Sequence, residues 1–95
     1  MSASANLFQS LADPTRVRII AALARQELSV SDLAAVLGLT GSAISHQLRL
    51  LRGMRLVKPR RAGQMIFYSL DDQHIVRLFE QGLEHVQERA QMGLA

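Results

Sequence analysis

The sequence contains no cysteine and no tryptophan, and it has only two prolines. Without cysteine the chain forms no disulfide and offers a metal no thiolate ligand, which fits a reducing compartment such as the cytoplasm. No apolar run approaches the ~20 residues of a membrane-spanning helix. The first residues also lack the basic and apolar segments of a signal peptide. We therefore expect a cytoplasmic protein that does not bind membranes.

Catalytic signatures are missing as well. The sequence shows no nucleophile–base grouping and no phosphate-binding loop, so we do not expect an enzyme. Its 95 residues with 48% apolar content predict one globular domain over residues 1–95. A domain of this size is small enough to gain stability from burial against a second chain.

Charge is distributed unevenly along the chain. Residues 41–61 contain six basic side chains and no acidic one. Residues 71–90 contain five acidic side chains against Arg77 and Arg89. One part of the molecule is therefore suited to polyanions and another to cations.

Helical patterns open the chain. Residues 3–11 predict a short first helix. Asp13 followed by Pro14 is typical of an N-cap and a first helical position, so a second helix should run from there to about Arg25. Its apolar residues lie nearly all round, which places it near the centre of the core.

A two-helix unit is predicted next. Ser31 is expected to cap a short helix over residues 32–37, which Gly38 ends. Thr40 should cap a longer helix over residues 41–52, with Gly53 as its stop. The longer helix has a buried face at Ile44, Leu48 and Leu51, and an opposite stripe of Ser42, Ser45, His46 and Arg49. This arrangement indicates a helix-turn-helix.

Two strands and a final helix complete the pattern. Residues 56–60 and 65–70 predict a hairpin joined by residues 61–64, where Gly63 suits the turn. Pro59 indicates that the first strand is short or lies at an edge. A last helix should start near Asp71 or Asp72 and run to about Arg89. The expected fold is mostly α with a small β-hairpin: a winged helix-turn-helix that forms a homodimer through its terminal helices.

The basic run extends from the second helix of the helix-turn-helix into the hairpin. Two adjacent elements then present one surface to a polyanion, which favours double-stranded DNA over an ordinary solvated helix face. Ser42, Ser45 and His46 lie in the half of the helix that usually reaches base edges. Phosphate contacts are expected from Arg49, Arg52, Arg60 and Arg61. Arg16 and Arg18 are interpreted as surface charges, and Gln47 receives no role.

Metal-type ligands occur at both ends of the last predicted helix. His74 and His85 are eleven residues apart, so both face one side of the helix but lie roughly 16 Å apart along it. A zinc-type ion holds nitrogen and oxygen ligands at about 2.0–2.2 Å, so one helix cannot close the site. An antiparallel second copy can, if Asp72 and His74 of one chain meet His85 and Glu88 of the other. Symmetry then gives two sites per dimer.

The alternative for these four residues is structural. Asp72 would be an N-cap, Glu88 a solvent-exposed charge, and the histidines would pack at an interface without metal. Two neutral imidazoles and two carboxylates would balance a divalent cation, which favours the metal interpretation.

The sequence resembles the ArsR/SmtB family of metal-sensing winged-helix regulators over nearly its whole length. Residues 11–16 are similar to the start of the family's second helix, residues 42–52 to its recognition helix, and residues 56–63 and 68–70 to its wing. The resemblance implies DNA binding that is relieved by metal. Within residues 27–33, which match the segment of a thiolate site in some members, serines stand where cysteines would be. The last-helix site type is therefore implied instead: Asp72, His74, His85 and Glu88.

We therefore expect a metal-responsive transcriptional regulator, a repressor released by metal, that binds operator DNA as a homodimer. Zn(II) is favoured, with Ni(II) or Co(II) as alternatives, because the donors are nitrogen and oxygen only. The competing hypothesis is a metal-independent winged-helix module for constitutive DNA or protein binding.

Overall fold

The computed structural model describes residues 3–10 and 12–93, without the side chains of residues 3, 4 and 8. In this part of the chain the elements are α1 (Ala3–Ser10), α2 (Pro14–Arg25), β1 (Leu28–Ser29), α3 (Val30–Leu37), α4 (Gly41–Gly53), β2 (Val57–Ala62), β3 (Met65–Leu70) and α5 (Gln73–Gln91). The predicted end of the first helix at Leu11 lies outside the described residues. The predicted winged helix-turn-helix is confirmed.

The core forms where α2, α4, α5 and the sheet meet. α2 contributes Ile19, Ile20 and Leu23, which confirms its predicted central position. From α4 come the three residues that the apolar spacing predicts, Ile44, Leu48 and Leu51. α5 adds Ile75 and Phe79 from its first half only. Among the described residues, no helix is both long enough and apolar enough to cross a bilayer.

The sheet has three antiparallel strands in the order β1-β3-β2. β2 pairs with β3 from Val57 opposite Leu70 to Ala62 opposite Met65. The turn is therefore the two residues Gly63 and Gln64, and the predicted four-residue connection was wrong. Gly63 has φ 63°, a conformation that glycine adopts without a steric cost. β2 lies at an edge, as Pro59 indicates, but it is a full six residues long.

The start of α3 differs from the prediction. Ser29, not Ser31, is the N-cap: its hydroxyl accepts a hydrogen bond from the Asp32 amide at 3.1 Å, and the Asp32 carboxylate accepts one from the Ser29 amide at 3.2 Å. This reciprocal capping box satisfies two helix-end donors at once, which a cap at Ser31 would not. The helix ends at Gly38, as predicted, with φ 67°.

The end of α4 also differs from the prediction, because Gly53 belongs to the helix and the left-handed residue is Arg55, with φ 61°. The Leu56 amide donates to the Leu51 carbonyl and the Arg55 amide to the Arg52 carbonyl, both at 3.0 Å. These two bonds form a Schellman motif, in which the residues at its two ends usually make an apolar contact. Leu51 and Leu56 are both fully buried, so their spacing, and not the glycine, sets where the helix ends.

Candidate nucleic-acid interface and metal site

The exposed stripe of α4 is held by the burial of its opposite face. Thr40 caps the helix by accepting a hydrogen bond from the Ala43 amide at 3.1 Å, as predicted. Because the apolar face is fully packed, the four residues of the other stripe all point to solvent: Ser42, Ser45, His46 and Arg49. Arg52 follows one turn later and is also exposed.

Gln47, which received no role from the sequence, connects α4 to α2. Its side-chain carbonyl accepts a hydrogen bond from Nε of Arg16 at 3.2 Å. Arg16 in turn lies 3.9 Å from a carboxylate oxygen of Asp13, the N-cap of α2. Arg18 donates to the Leu37 carbonyl at 2.8 Å. Both arginines therefore tie α2 to the helix-turn-helix, and no local sequence signal predicts contacts across 31 or 19 residues.

The wing places its two adjacent arginines on opposite faces. Side chains alternate along a strand, so Arg61 lies on the same face of β2 as the buried Val57, beyond the core, and Arg60 on the other. Arg60 lies opposite Phe67 on β3, and its guanidinium carbon is 5.3 Å from the centroid of the Phe67 ring.

Arg60 is bound to Glu27, the residue before β1. Its Nε lies 3.0 Å from each carboxylate oxygen of Glu27, and its Nη2 lies 2.6 Å from Oε1. The hydrogen bond from Arg60, more than its charge, lowers the pKa of the Glu27 carboxyl, and Glu27 raises the pKa of Arg60. No local sequence signal predicts this pair, because its two residues lie 33 apart along the chain.

The four predicted metal ligands lie on or next to α5. Asp72 is the N-cap, and its Oδ1 accepts a hydrogen bond from the Ile75 amide at 3.0 Å. His74, His85 and Glu88 are exposed on the helix, which runs without a break through all three. Within residues 3–10 and 12–93 of one chain, no three His, Cys, Asp or Glu side chains come together as a metal site. The donors are accessible, and their nitrogen and oxygen chemistry suits a divalent transition metal.

The second half of α5 has little contact with its own chain. Every described residue from 83 to 93 is exposed. Apolar side chains are among them, with Leu83 38%, Val86 56% and Met92 69% exposed. His85 and Glu88 belong to this unburied segment, whereas Asp72 and His74 lie at the end that packs on the core.

Comparison with known proteins identifies the family. The family model for bacterial regulatory proteins of the arsR family matches residues 13–58. The transcriptional repressor SmtB homolog of Synechocystis is 54% identical over 88% of this chain, which spans only 64% of that relative's length. The cadmium resistance transcriptional regulatory protein CadC homolog of Staphylococcus aureus is 39% identical, covering 94% of this chain and 74% of the relative.

A solved structure agrees with this result. The homodimeric winged helix-turn-helix DNA-binding domain of a protein from Mycobacterium bovis superposes with a TM-score of 0.81 at 27% identity. The superposition covers 93% of this chain and 81% of that domain. The two curated relatives are named as transcriptional regulators. The chain therefore belongs to the arsR family of bacterial regulatory proteins.

Proposed function

We propose that the chain is a cytoplasmic repressor that binds double-stranded operator DNA as a homodimer and releases it when a divalent metal binds. The observation that carries the DNA part is the exposed stripe of α4. In this proposal Ser42, Ser45 and His46, all exposed, contact base edges, and the exposed Arg49, Arg52 and Arg61 contact phosphates. Arg60, predicted with them, is paired with Glu27 in the free protein.

Dimerisation is supported by the second half of α5. An isolated helix end with exposed Leu83 and Val86 gains stability when a second copy covers it. The Mycobacterium bovis domain is homodimeric, and pairing of α5 with its own copy fits the same arrangement. We propose that the two α5 helices run antiparallel across this apolar segment.

The metal would be held between the two chains by Asp72 and His74 of one and by His85 and Glu88 of the other. The lack of any three-donor cluster among the described residues of one chain makes a second chain necessary for such a site. A bound metal would link the two chains. Its binding free energy would differ between the arrangement of the dimer that binds DNA and the arrangement that releases it. Asp72 retains Oδ2 for the metal, because the cap bond uses Oδ1.

The relatives favour metal response but not one metal. One is named for cadmium resistance, and cadmium is a thiophilic ion, whereas this chain has no cysteine. Nitrogen and oxygen donors favour Zn(II), with Ni(II) and Co(II) as alternatives. Co(II) distinguishes between them, because a four-coordinate Co(II) site absorbs visible light far more strongly than a six-coordinate one.

The test is the affinity of the dimer for promoter DNA with and without Zn(II), measured by fluorescence anisotropy. We expect Zn(II) to weaken DNA binding, and DNA to weaken Zn(II) binding by the same factor, because the coupling is reciprocal. DNA affinity that Zn(II), Ni(II) and Co(II) all leave unchanged would establish the metal-independent alternative.

The crossing of ligands between chains has its own test. A mixed dimer carries His74→Ala in one chain and His85→Ala in the other, purified through two different affinity tags. If each site takes His74 from one chain and His85 from its partner, one site loses both histidines and the other keeps all four ligands. We expect one tight Zn(II) equivalent per mixed dimer in calorimetry. Two equally weakened sites would show that the ligands do not cross.

A further inference from the structure

Arg60 and Arg61 are adjacent in sequence, but only one of them is paired in the free protein. Arg61 takes part in neither of the two ion pairs in the described part of the chain, which are Arg16–Asp13 and Arg60–Glu27. Its neighbour Arg60 makes three hydrogen bonds to one carboxylate. The wing therefore does not present two equivalent guanidinium groups.

The contact with Glu27 spans the sheet. Glu27 precedes β1, and β1 and β2 lie on either side of β3, so the Arg60 side chain reaches Glu27 across the central strand. The Phe67 ring lies beneath its guanidinium at 5.3 Å, a distance at which the ring attracts a cation. An isolated surface ion pair is worth little, but both oxygens and an aromatic face hold this one in a single geometry.

The charge of the pair determines its effect on DNA. A guanidinium releases a counterion from DNA when it neutralises a phosphate. Paired with a carboxylate, Arg60 adds no net charge to its face of the wing, and the negative charge of Glu27 repels an approaching phosphate. Arg60 uses only Nε and Nη2 on Glu27, so a phosphate could still meet its Nη1, but Arg60 must leave Glu27 before its full positive charge can act on the DNA backbone.

We propose that Glu27 is an autoinhibitory residue that withholds Arg60 from DNA, leaving Arg61 as the available one of the wing's two arginines. The proposal rests on the DNA-binding function proposed above. In this role Glu27 limits the sequence-independent affinity of the wing, so that binding depends more on the α4 stripe, which reads base edges. The pair is a specificity device, because phosphate contacts raise affinity for every sequence alike.

The decisive variant is Glu27→Gln, which removes the charge while retaining the shape of the side chain. We expect it to bind DNA more tightly and to depend more steeply on salt, with the log–log slope larger by about 0.9 for each added phosphate contact, or about 1.8 for the two wings of a dimer. Between roughly 50 and 200 mM salt, the variant should then lose about 12-fold more affinity than the wild type. The probe is a labelled mixed-sequence duplex of about 30 base pairs, since the effect concerns phosphates and not bases.

Two further variants isolate the cause. Glu27→Gln combined with Arg60→Gln restores the wild-type net charge and should return the slope to the wild-type value, because the gain requires Arg60. Glu80→Gln makes the same charge change on an exposed position of α5 and should leave the slope unchanged. Circular dichroism of each variant checks that the fold is retained.

Three results would overturn the proposal. The first is a salt slope for Glu27→Gln equal to that of the wild type. The second is a double variant that keeps the steeper slope. The third is an Arg60→Gln variant whose slope falls as much as that of Arg61→Gln. Weaker binding by Glu27→Gln at an unchanged slope would show instead that the pair only braces the wing. Failure of the proposed function looks different, since the wild type and Arg61→Gln would then both lack salt-dependent binding.

Discussion

The helix-turn-helix is capped and packed within a single chain, whereas the second half of α5 is left exposed by its own chain. α3 and α4 are capped at their first turns by side chains of the same chain, and α4 buries a full apolar face. Residues 83–93 are exposed throughout, although apolar side chains are among them. The proposed DNA-binding surface is thus formed within one folded chain, whereas the proposed metal site depends on assembly. In a regulator built this way, the distance between the two α4 helices of the dimer can change while each chain keeps its fold.

Loss of core packing under α4 is the largest effect we expect. Leu48→Ala removes a side chain that is 1% exposed, and it should lower the free energy of unfolding by about 2–5 kcal/mol. Leu50→Ala is the matched control: it makes the same change on the same helix, where Leu50 is 38% exposed. Urea denaturation of both variants measures the difference. Equal losses would mean that α4 is not anchored through one face.

A substitution in the second half of α5 should have the opposite effect: it should weaken the dimer while each chain stays folded. Val86→Glu places a charge on a segment proposed to pack against its own copy, so the dimer dissociation constant should rise at least about tenfold. Sedimentation equilibrium measures it, and Zn(II) binding should be lost with the dimer. Val36→Glu, at a position 66% exposed on α3, is the control. If the Val86→Glu protein stays dimeric, the dimer interface lies on another part of the chain.

The elements with local signals could be predicted from the sequence. Asp13 before Pro14 and Thr40 before α4 act as the predicted N-caps. Asp72 caps α5, which is the role that the structural alternative gave it. The capping box of Ser29 and Asp32 also had a local signal, because serine followed three residues later by an acidic residue is its usual pattern. The predicted N-cap at Ser31 therefore places the start of α3 two residues too late in the chain.

What the sequence did not predict depends on contacts distant along the chain. β1 has two residues, too few to show a strand period, and it exists because Leu28 and Ser29 pair with Tyr68 and Phe67. The Glu27–Arg60 pair joins residues 33 apart. The two arginines of the wing are a different case. The prediction ended the strand at Arg60 and placed Arg61 in the connection, whereas β2 continues to Ala62 and its alternation puts them on opposite faces.

Arg49 and Ser45 sharpen the comparison within the reading helix itself. Arg49→Ala should reduce the salt slope of DNA binding by about 1.8, because each chain of the dimer loses one phosphate contact worth about 0.9. Ser45→Ala should leave that slope unchanged. It should instead reduce the ratio of the affinity for the promoter duplex to the affinity for a scrambled duplex. Anisotropy titrations on both duplexes over a salt series separate the two effects. An Arg49→Ala slope equal to that of the wild type would remove α4 from the phosphate-binding surface.

The smallest effect concerns the proton linkage of Glu27. Hydrogen bonding to Arg60 lowers the pKa of its carboxyl, so the charged pair contributes to stability at neutral pH. A depressed pKa means that this contribution is present above the unfolded-state pKa and is lost as the pH falls through the lower folded-state value. Because both partners are exposed, solvent screens the pair and the stability change is small. The pKa itself is therefore the better measurement, by NMR titration of the Glu27 carboxyl carbon.

In that titration, Arg60→Gln should move the Glu27 midpoint upward toward the ordinary value of a glutamate. Arg61→Gln should leave the midpoint where the wild type has it, because Arg61 lies on the other face of β2. The difference in stability between the wild type and Arg60→Gln should likewise disappear in acid, below the Glu27 midpoint of the wild type. If both arginine variants shifted the midpoint equally, the carboxylate would be responding to the general positive field of the wing and not to one bound guanidinium.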